Sequence, residues 1–280
     1  MTSIGIMQGR LSPPVDGRIQ VFPADSWREE FEKAAEADLY CIEWIYDAET
    51  EPANPLRTDQ GLAEIEHRIQ QSGVRVVSIC ADYYMTRTLI DAAGNADEVN
   101  VGHLNWLIGR AGALKVEYVV LPFVDSSSLK SQRSIETIIS ILKSAAAAAK
   151  QAGTELHLET DLKALALIRL LKRIAHPNVR ANYDIGNSAS LGHDPADELP
   201  LLGRWLGSVH VKDRALKGTT VPLGTGAADL DQCFRLIGQA GFEGPFILQV
   251  ARDRAGNEIE SAIRNRQLVE RLLNAALQHA

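Results

Sequence analysis

Four side chains able to hold a cation each close a short apolar run. Glu159 follows Leu156-His157-Leu158, Asp184 follows Arg180-Ala181-Asn182-Tyr183, His210 follows Ser208-Val209, and Gln249 follows Phe246-Ile247-Leu248. Two carboxylates, an imidazole and an amide oxygen suit one divalent ion. An ion so held polarises a carbonyl or steadies an alkoxide, so the set points to metal-assisted chemistry. Its spacings of 25, 26 and 39 residues indicate what positions it. One strand-plus-helix unit of a (β/α)8 barrel takes about 30 residues in a fold of ~250, and the C-terminal ends of its strands converge on one face.

The rest of the chain supplies the other units. Eight apolar runs read as strands: Ile4–Gln8, Tyr40–Ile45, Arg75–Cys80, Tyr118–Pro122, Glu155–Glu159, Arg180–Asp184, Ser208–Lys212 and Phe246–Val250. Most are continuous rather than alternating, as expected of parallel strands covered on both faces. Between them, Trp27–Ala37, Leu62–Gln71, Val99–Ala111, Ser134–Gln151, Leu162–Ile174 and Leu230–Gln239 carry apolar residues at helical spacing. A last helix covers Glu258–Gln278. Ser26 (with Asp25 as a rival) and Asp231 are candidate N-caps. Gly73, Gly112, Gly153, Asn178 and Gly241 mark the helix ends before incoming strands. The alanine run at 145–149 reads as helix interior. Strict alternation without a linker predicts an α/β fold, a single-domain TIM barrel over residues 1–280.

Composition narrows the partners. A formal charge of −7 argues against nucleic acid, whose phosphates require a basic surface. No apolar run approaches the ~18 residues of a membrane span. Three cysteines without paired spacing suit a reducing compartment, and the opening residues lack a signal-peptide pattern, so a cytoplasmic location is expected. A homo-oligomer is compatible with all of this.

The segments Asn182-Tyr183-Asp184-Ile185-Gly186-Asn187, Val209-His210-Val211-Lys212-Asp213 and Gly241-Phe242-Glu243-Gly244-Pro245-Phe246 resemble the xylose-isomerase-like TIM-barrel family of sugar phosphate isomerases and epimerases. The opening Gly5-Ile6-Met7-Gln8-Gly9-Arg10 and the strand Cys41-Ile42-Glu43-Trp44 are similar to members acting on ketoses or ketose phosphates. The resemblance covers essentially the whole chain. It implies that Glu159, Asp184 and His210 ligate one divalent ion, usually manganese, magnesium, cobalt or zinc. It also implies a small sugar or sugar phosphate as substrate.

One position departs from the family, whose members generally carry glutamate where this chain has Gln249. In the 3-epimerases two glutamates exchange protons on opposite faces of the substrate. An amide has no titratable proton near neutral pH, so Gln249 is a ligand position and not a base. A shell of Glu, Asp, His and Gln is formally neutral around a divalent ion, which loosens the ion and sharpens its Lewis acidity. Glu159 is then the surviving candidate base, for isomerisation or epimerisation through a metal-stabilised enediolate. The reading in which Glu159 only ligates stands beside it. A dehydratase or lyase on the same substrate class and a metal-weakened, non-catalytic barrel are the alternatives. The endonuclease IV chemistry of the same fold is set aside for want of histidines and basic charge.

Around this centre, Glu43, Asp82, Asn187, Lys212, Arg214 and Arg252 are candidate substrate-binding residues. Asp125 reads as a turn former before three serines, and His193 as a loop residue within reach of the site. His157 reads as a packing histidine pointing away from Glu159. For an anionic group, Arg10, Arg87, Lys212, Arg214, Arg252 and the backbone amides of Pro222–Gly226 are the candidates, since barrels often bind phosphate at loops seven and eight.

Overall fold

The computed structural model describes residues 3–278. Eight parallel strands, β1 Ile4–Met7, β2 Cys41–Ile45, β3 Arg75–Cys80, β4 Tyr118–Phe123, β5 Glu155–Thr160, β6 Val179–Asp184, β7 Leu206–Val211 and β8 Phe246–Leu248, close into a barrel in chain order, with β8 against β1. Each matches a run anticipated from the sequence, because a strand sandwiched between a packed interior and a helical coat must be apolar on both sides. A two-stranded ribbon, Asp213–Arg214 with Thr220–Val221, stands above β7.

The helical coat follows the same logic. Gly73 and Gly153 end their helices at φ 75° and 74°, a left-handed conformation that glycine adopts without Cβ strain. Ala145, Ala146 and Ala149 are buried within Gln132–Ala152, so the alanine run is indeed helix interior. Gly112, in contrast, does not end a helix. It lies inside Glu98–Ala113, where a Cβ would come within 2.7 Å of the Ala152 carbonyl oxygen, so it serves the contact between two helices. The caps also differ from expectation. Asp229, not Asp231, accepts from the Gln232 amide at 2.9 Å, and the helix Glu29–Glu36 starts without a side-chain cap, after a run of turns. Between β6 and β7 the helices Ile185–Ser190 and Pro195–Leu202 escaped the periodicity because they are only one to two turns long.

The barrel interior is polar along one side. Residues two apart on a strand share a face. Consequently β5 contributes His157 and Glu159, β6 Asn182 and Asp184, and β7 Ser208 and His210, in two stacked layers. All six are no more than 6% exposed. His157 therefore points the same way as Glu159, one layer below it, and not away from it.

Candidate metal centre

The upper layer brings together three residues from three successive strands. The register pairs Asp184 directly with His210 across β6 and β7. One ligand atom from each of Glu159, Asp184 and His210 lies within 4.8 Å of the others. His210 Nδ1 faces Glu159 Oε2 at 3.6 Å and Asp184 Oδ2 at 4.0 Å. It is fully buried and has no hydrogen-bond partner among the described residues. A buried polar atom is rarely left unpaired. An imidazole lone pair aimed at two carboxylates is a donor set that fits a divalent cation.

Neighbouring side chains hold each of the three in place. Glu43, on β2 and wholly buried, stands with Oε1 2.7 Å from His210 Nε2, a charge contact off the line of a hydrogen bond. Its other oxygen accepts from Ser78 Oγ at 2.7 Å. Glu43 thus corrects an expectation, because it lies beneath the imidazole and does not line the cavity above. Asp184 caps the helix Ile185–Ser190, accepting from the Asn187 amide at 2.7 Å, while Asn187 Nδ2 donates to Glu159 Oε1 at 2.6 Å. The same Asn187 accepts from Arg214 at 2.8 Å.

Burial and then the Asp184 charge push the Glu159 carboxyl up to about 7. Burial alone would depress His210, but Glu43, Glu159 and Asp184 outweigh it and raise the imidazole to about 9.

Gln249 sits on the rim of this centre with its carbonyl oxygen engaged. Lys212 Nζ donates to Gln249 Oε1 at 3.0 Å and reaches Asp184 Oδ2 at 3.3 Å. Gln249 Nε2 donates to Gln20 Oε1 at 3.0 Å, and Gln20 Nε2 donates to Asp82 Oδ2 at 2.7 Å. The compact donor set is therefore the triad, with Gln249 joined to it through an ammonium group.

A cavity of about 740 Å3 opens over the centre, lined by Asp82, Asn187, Lys212, Arg214 and Gln249 among others. Arg252 does not line it. Its guanidinium is held by the carbonyls of Gly9, Ser12 and Ile19, where it ties loop eight to loop one. Arg87 is also outside the lining, and His193 turns to Glu198 at 3.0 Å. Asp125 does line the cavity. Gln20 was invisible in the sequence because it sits in an aperiodic stretch with neither strand nor helix signal. Its only clue was its place in the loop that follows β1 onto the C-terminal face.

Comparison with known proteins agrees with this architecture. A family model described as xylose isomerase-like TIM barrel matches residues 31–272. L-ribulose-5-phosphate 3-epimerase UlaE of Salmonella paratyphi A is 30% identical over 99 residues, which are 35% of this chain and 35% of that one. The chain thus spans about a third of the length of the curated relatives it matches. Among solved structures, that of an L-ribulose 3-epimerase superposes with a TM-score of 0.76 at 18% identity, covering 100% of this chain and 97% of the other. A xylose isomerase-like TIM barrel protein from Mycobacterium smegmatis, in complex with magnesium, gives 0.73 at 18% identity over 99% and 98%. At such identities the likeness speaks for the fold.

Proposed function

The chain belongs to the xylose isomerase-like TIM barrel family, and from that premise we propose that it is a divalent-metal-dependent isomerase or epimerase of a small sugar or sugar phosphate. The observation that carries the reading is His210 Nδ1, without a hydrogen-bond partner among the described residues, facing the Glu159 and Asp184 carboxylates in a buried layer below an open cavity. The curated relative and the superposed structure, both named as 3-epimerases, support the substrate class. Glu159, Asp184 and His210 would hold the ion. Once bound, it supplies Lewis acidity toward a carbonyl oxygen and charge for the oxyanion.

The protein's own groups account for the rest. Glu159, which lines the cavity, is the carboxylate placed to take a proton from carbon and return it. Asn187 fixes that carboxylate through Oε1, leaving Oε2 on the side of His210. Gln249 carries no transferable proton, so a second carboxylate opposite Glu159 is absent from the strand-eight position. One base serving both transfers favours aldose–ketose isomerisation over two-base epimerisation. Asp82, Gln20 and Asn187 offer partners for substrate hydroxyls.

The test is metal content after purification, followed by ketoses and their phosphates incubated in D2O with the metal-loaded protein. Deuterium at the carbon next to the carbonyl, together with a new isomer, is the expected result. Failure to bind Mn2+ or Mg2+ at millimolar concentration would remove the proposal.

A further inference from the structure

The cavity over the metal centre carries four cationic side chains, Arg10, Arg18, Lys212 and Arg214. Each is already committed. Arg10 is buried, with Nε donating to the Val250 carbonyl at 2.8 Å, Nη1 to the Ile19 carbonyl at 2.7 Å and Nη2 to Gln20 at 3.1 Å. Arg18 is paired with Glu49. Arg214 grips the Gly218 carbonyl through Nε and Nη2, and Asn187 through Nη1. Lys212 is held by Asp184 and Gln249.

The backbone donors are committed as well. Asp213, wholly buried at the base of loop seven, accepts from the amides of Gly224 at 2.9 Å, Gly226 at 2.8 Å and Ala228 at 3.1 Å. The glycine loop that could have cradled a phosphate is folded around a carboxylate of its own. The short helix above β6 has its first turn capped by Asp184 in the same way.

The lining also holds carboxylates that no cation pairs with among the described residues. Asp82 receives only neutral donors, the Gln20 amide and the Cys80 thiol at 3.3 Å. Asp125 has no hydrogen-bonded or ionic partner at its carboxylate among the described residues. Carboxylates and amides of this kind accept from and donate to hydroxyl groups, and they repel an anion.

We propose that this cavity selects an unphosphorylated substrate, a neutral polyhydroxylated carbonyl compound, and excludes the corresponding phosphate ester. The proposal rests on the reading of the site as one for sugars, and it parts from that reading at the phosphate. The ester's dianion would have to break an existing ion pair, displace a buried arginine from backbone carbonyls or draw Arg214 off the Gly218 carbonyl and Asn187, beside the Asp82 and Asp125 carboxylates. A hydroxymethyl group meets no such obstacle.

The experiment uses the Mn2+-loaded protein with the D- and L-ketopentoses and their 5-phosphates, by titration calorimetry and by kcat/KM. The free sugar of the best pair should lead its ester by at least about a hundredfold, the scale of like-charge juxtaposition in a binding site. Glu49→Gln, which removes the nearer of the two carboxylates beside Arg18 and leaves Asp16 at 3.7 Å, should improve ester binding about five- to tenfold and leave the free sugar within about twofold. Equal or tighter binding of the ester by the unaltered protein would overturn the proposal. So would an unchanged ratio in Glu49→Gln, because the commitment of the cations would then not be what excludes the ester. Free-sugar binding with no turnover would instead count against the isomerase reading while leaving the selection intact. Binding of no member of the panel would sink both.

Discussion

The same three strands build two polar layers, and the layers differ in whether their histidine is satisfied. In the lower one, His157 Nδ1 meets Ser208 Oγ at 2.9 Å and Nε2 meets Glu155 Oε2 at 2.9 Å, with the ring stacked on Tyr118 at 4.3 Å between centroids. Asn182 closes the group by donating to Ser208 at 2.8 Å. Burial holds His157 below its ordinary pKa, so the ring is neutral and serves packing. In the upper layer, two residues further along each strand, His210 has a glutamate near Nε2 and nothing bonded to Nδ1. The difference teaches that a buried imidazole with both nitrogens partnered is architecture, whereas one left open between carboxylates belongs to a donor set that could hold a cation.

The sharpest way to break that comparison is to remove each ring in turn. His210→Ala should weaken Mn2+ binding by more than about a hundredfold and abolish turnover, since losing a ligand exceeds the 10–100-fold cost of losing its orienting partner. Without metal its melting temperature should fall at pH 7 and match that of the unaltered protein only above about pH 9, because Glu43, Glu159 and Asp184 lose the imidazolium that offsets them. Calorimetric metal titration beside a thermal melt reads both halves. His157→Phe should instead spare the metal. It leaves buried Ser208 and half-buried Glu155 without their imidazole partner and should cost about 1–3 kcal/mol of stability, with metal affinity within about twofold. A large loss of metal affinity in His157→Phe would mean that the two layers are coupled and the comparison is false.

Much of this was legible in the chain. The strands are continuous apolar runs, and Glu159, Asp184 and His210 end three of them, so hydrophobic patterning by itself places the triad at one face. The paired layers are legible too, in the repeats His157/Glu159, Asn182/Asp184 and Ser208/His210, but only when the two-residue strand period is applied to both members, without which His157 falls on the wrong side. What the chain could not tell was which polar groups neutralise one another. Glu43 reads as one more strand-end acid until the β2–β3 register sets it beneath His210 and beside Ser78. Arg10, Arg252 and the Gly224–Gly226 loop read as phosphate donors until their hydrogen bonds to backbone carbonyls and to Asp213 are seen. Long-range pairing of this kind joins residues as much as 243 positions apart, and no local pattern encodes it.

Glu43→Gln sharpens the comparison at the next level down. It keeps the shape and the Ser78 contact but removes the charge beside His210 Nε2, so Mn2+ affinity should fall about 10–100-fold. A variant that melts lower yet binds metal as tightly as before would reduce Glu43 to a packing role.

The two imidazoles should also give opposite responses to pH in the metal-free protein. His210, raised from 6.5 to about 9, contributes stability that is complete below 6.5 and is lost as pH climbs through 9. His157 is lowered, so it withdraws stability as pH falls below 6.5. Between pH 7 and 9 only the first should act, and the melting temperature should drop by roughly 5 °C. His210→Gln should flatten that limb. With saturating Mn2+ the slope should diminish, because ligation favours the deprotonated donors. An equally steep alkaline limb in His210→Gln would assign the loss to other groups.

The smallest effect is expected at the position where this chain departs from its family. Gln249→Glu adds an anionic oxygen beside the triad, and on charge alone that should tighten the ion considerably. The local hydrogen bonds argue for less. Lys212 already stands 3.0 Å from Oε1 and would take the new charge as its own partner. The atom replacing Nε2 would face Gln20 Oε1, oxygen to oxygen, unless the Gln20 amide turned over and gave up Asp82. Metal affinity should therefore rise by less than about tenfold, with epimerase activity appearing only if the new carboxylate escapes Lys212. The double variant Gln249→Glu with Lys212→Met removes that partner and should bind Mn2+ more tightly than the single change. If the single variant instead bound the ion a hundredfold more tightly, Lys212 would have to leave the centre readily, and residue 249 would then be a fourth ligand in its own right.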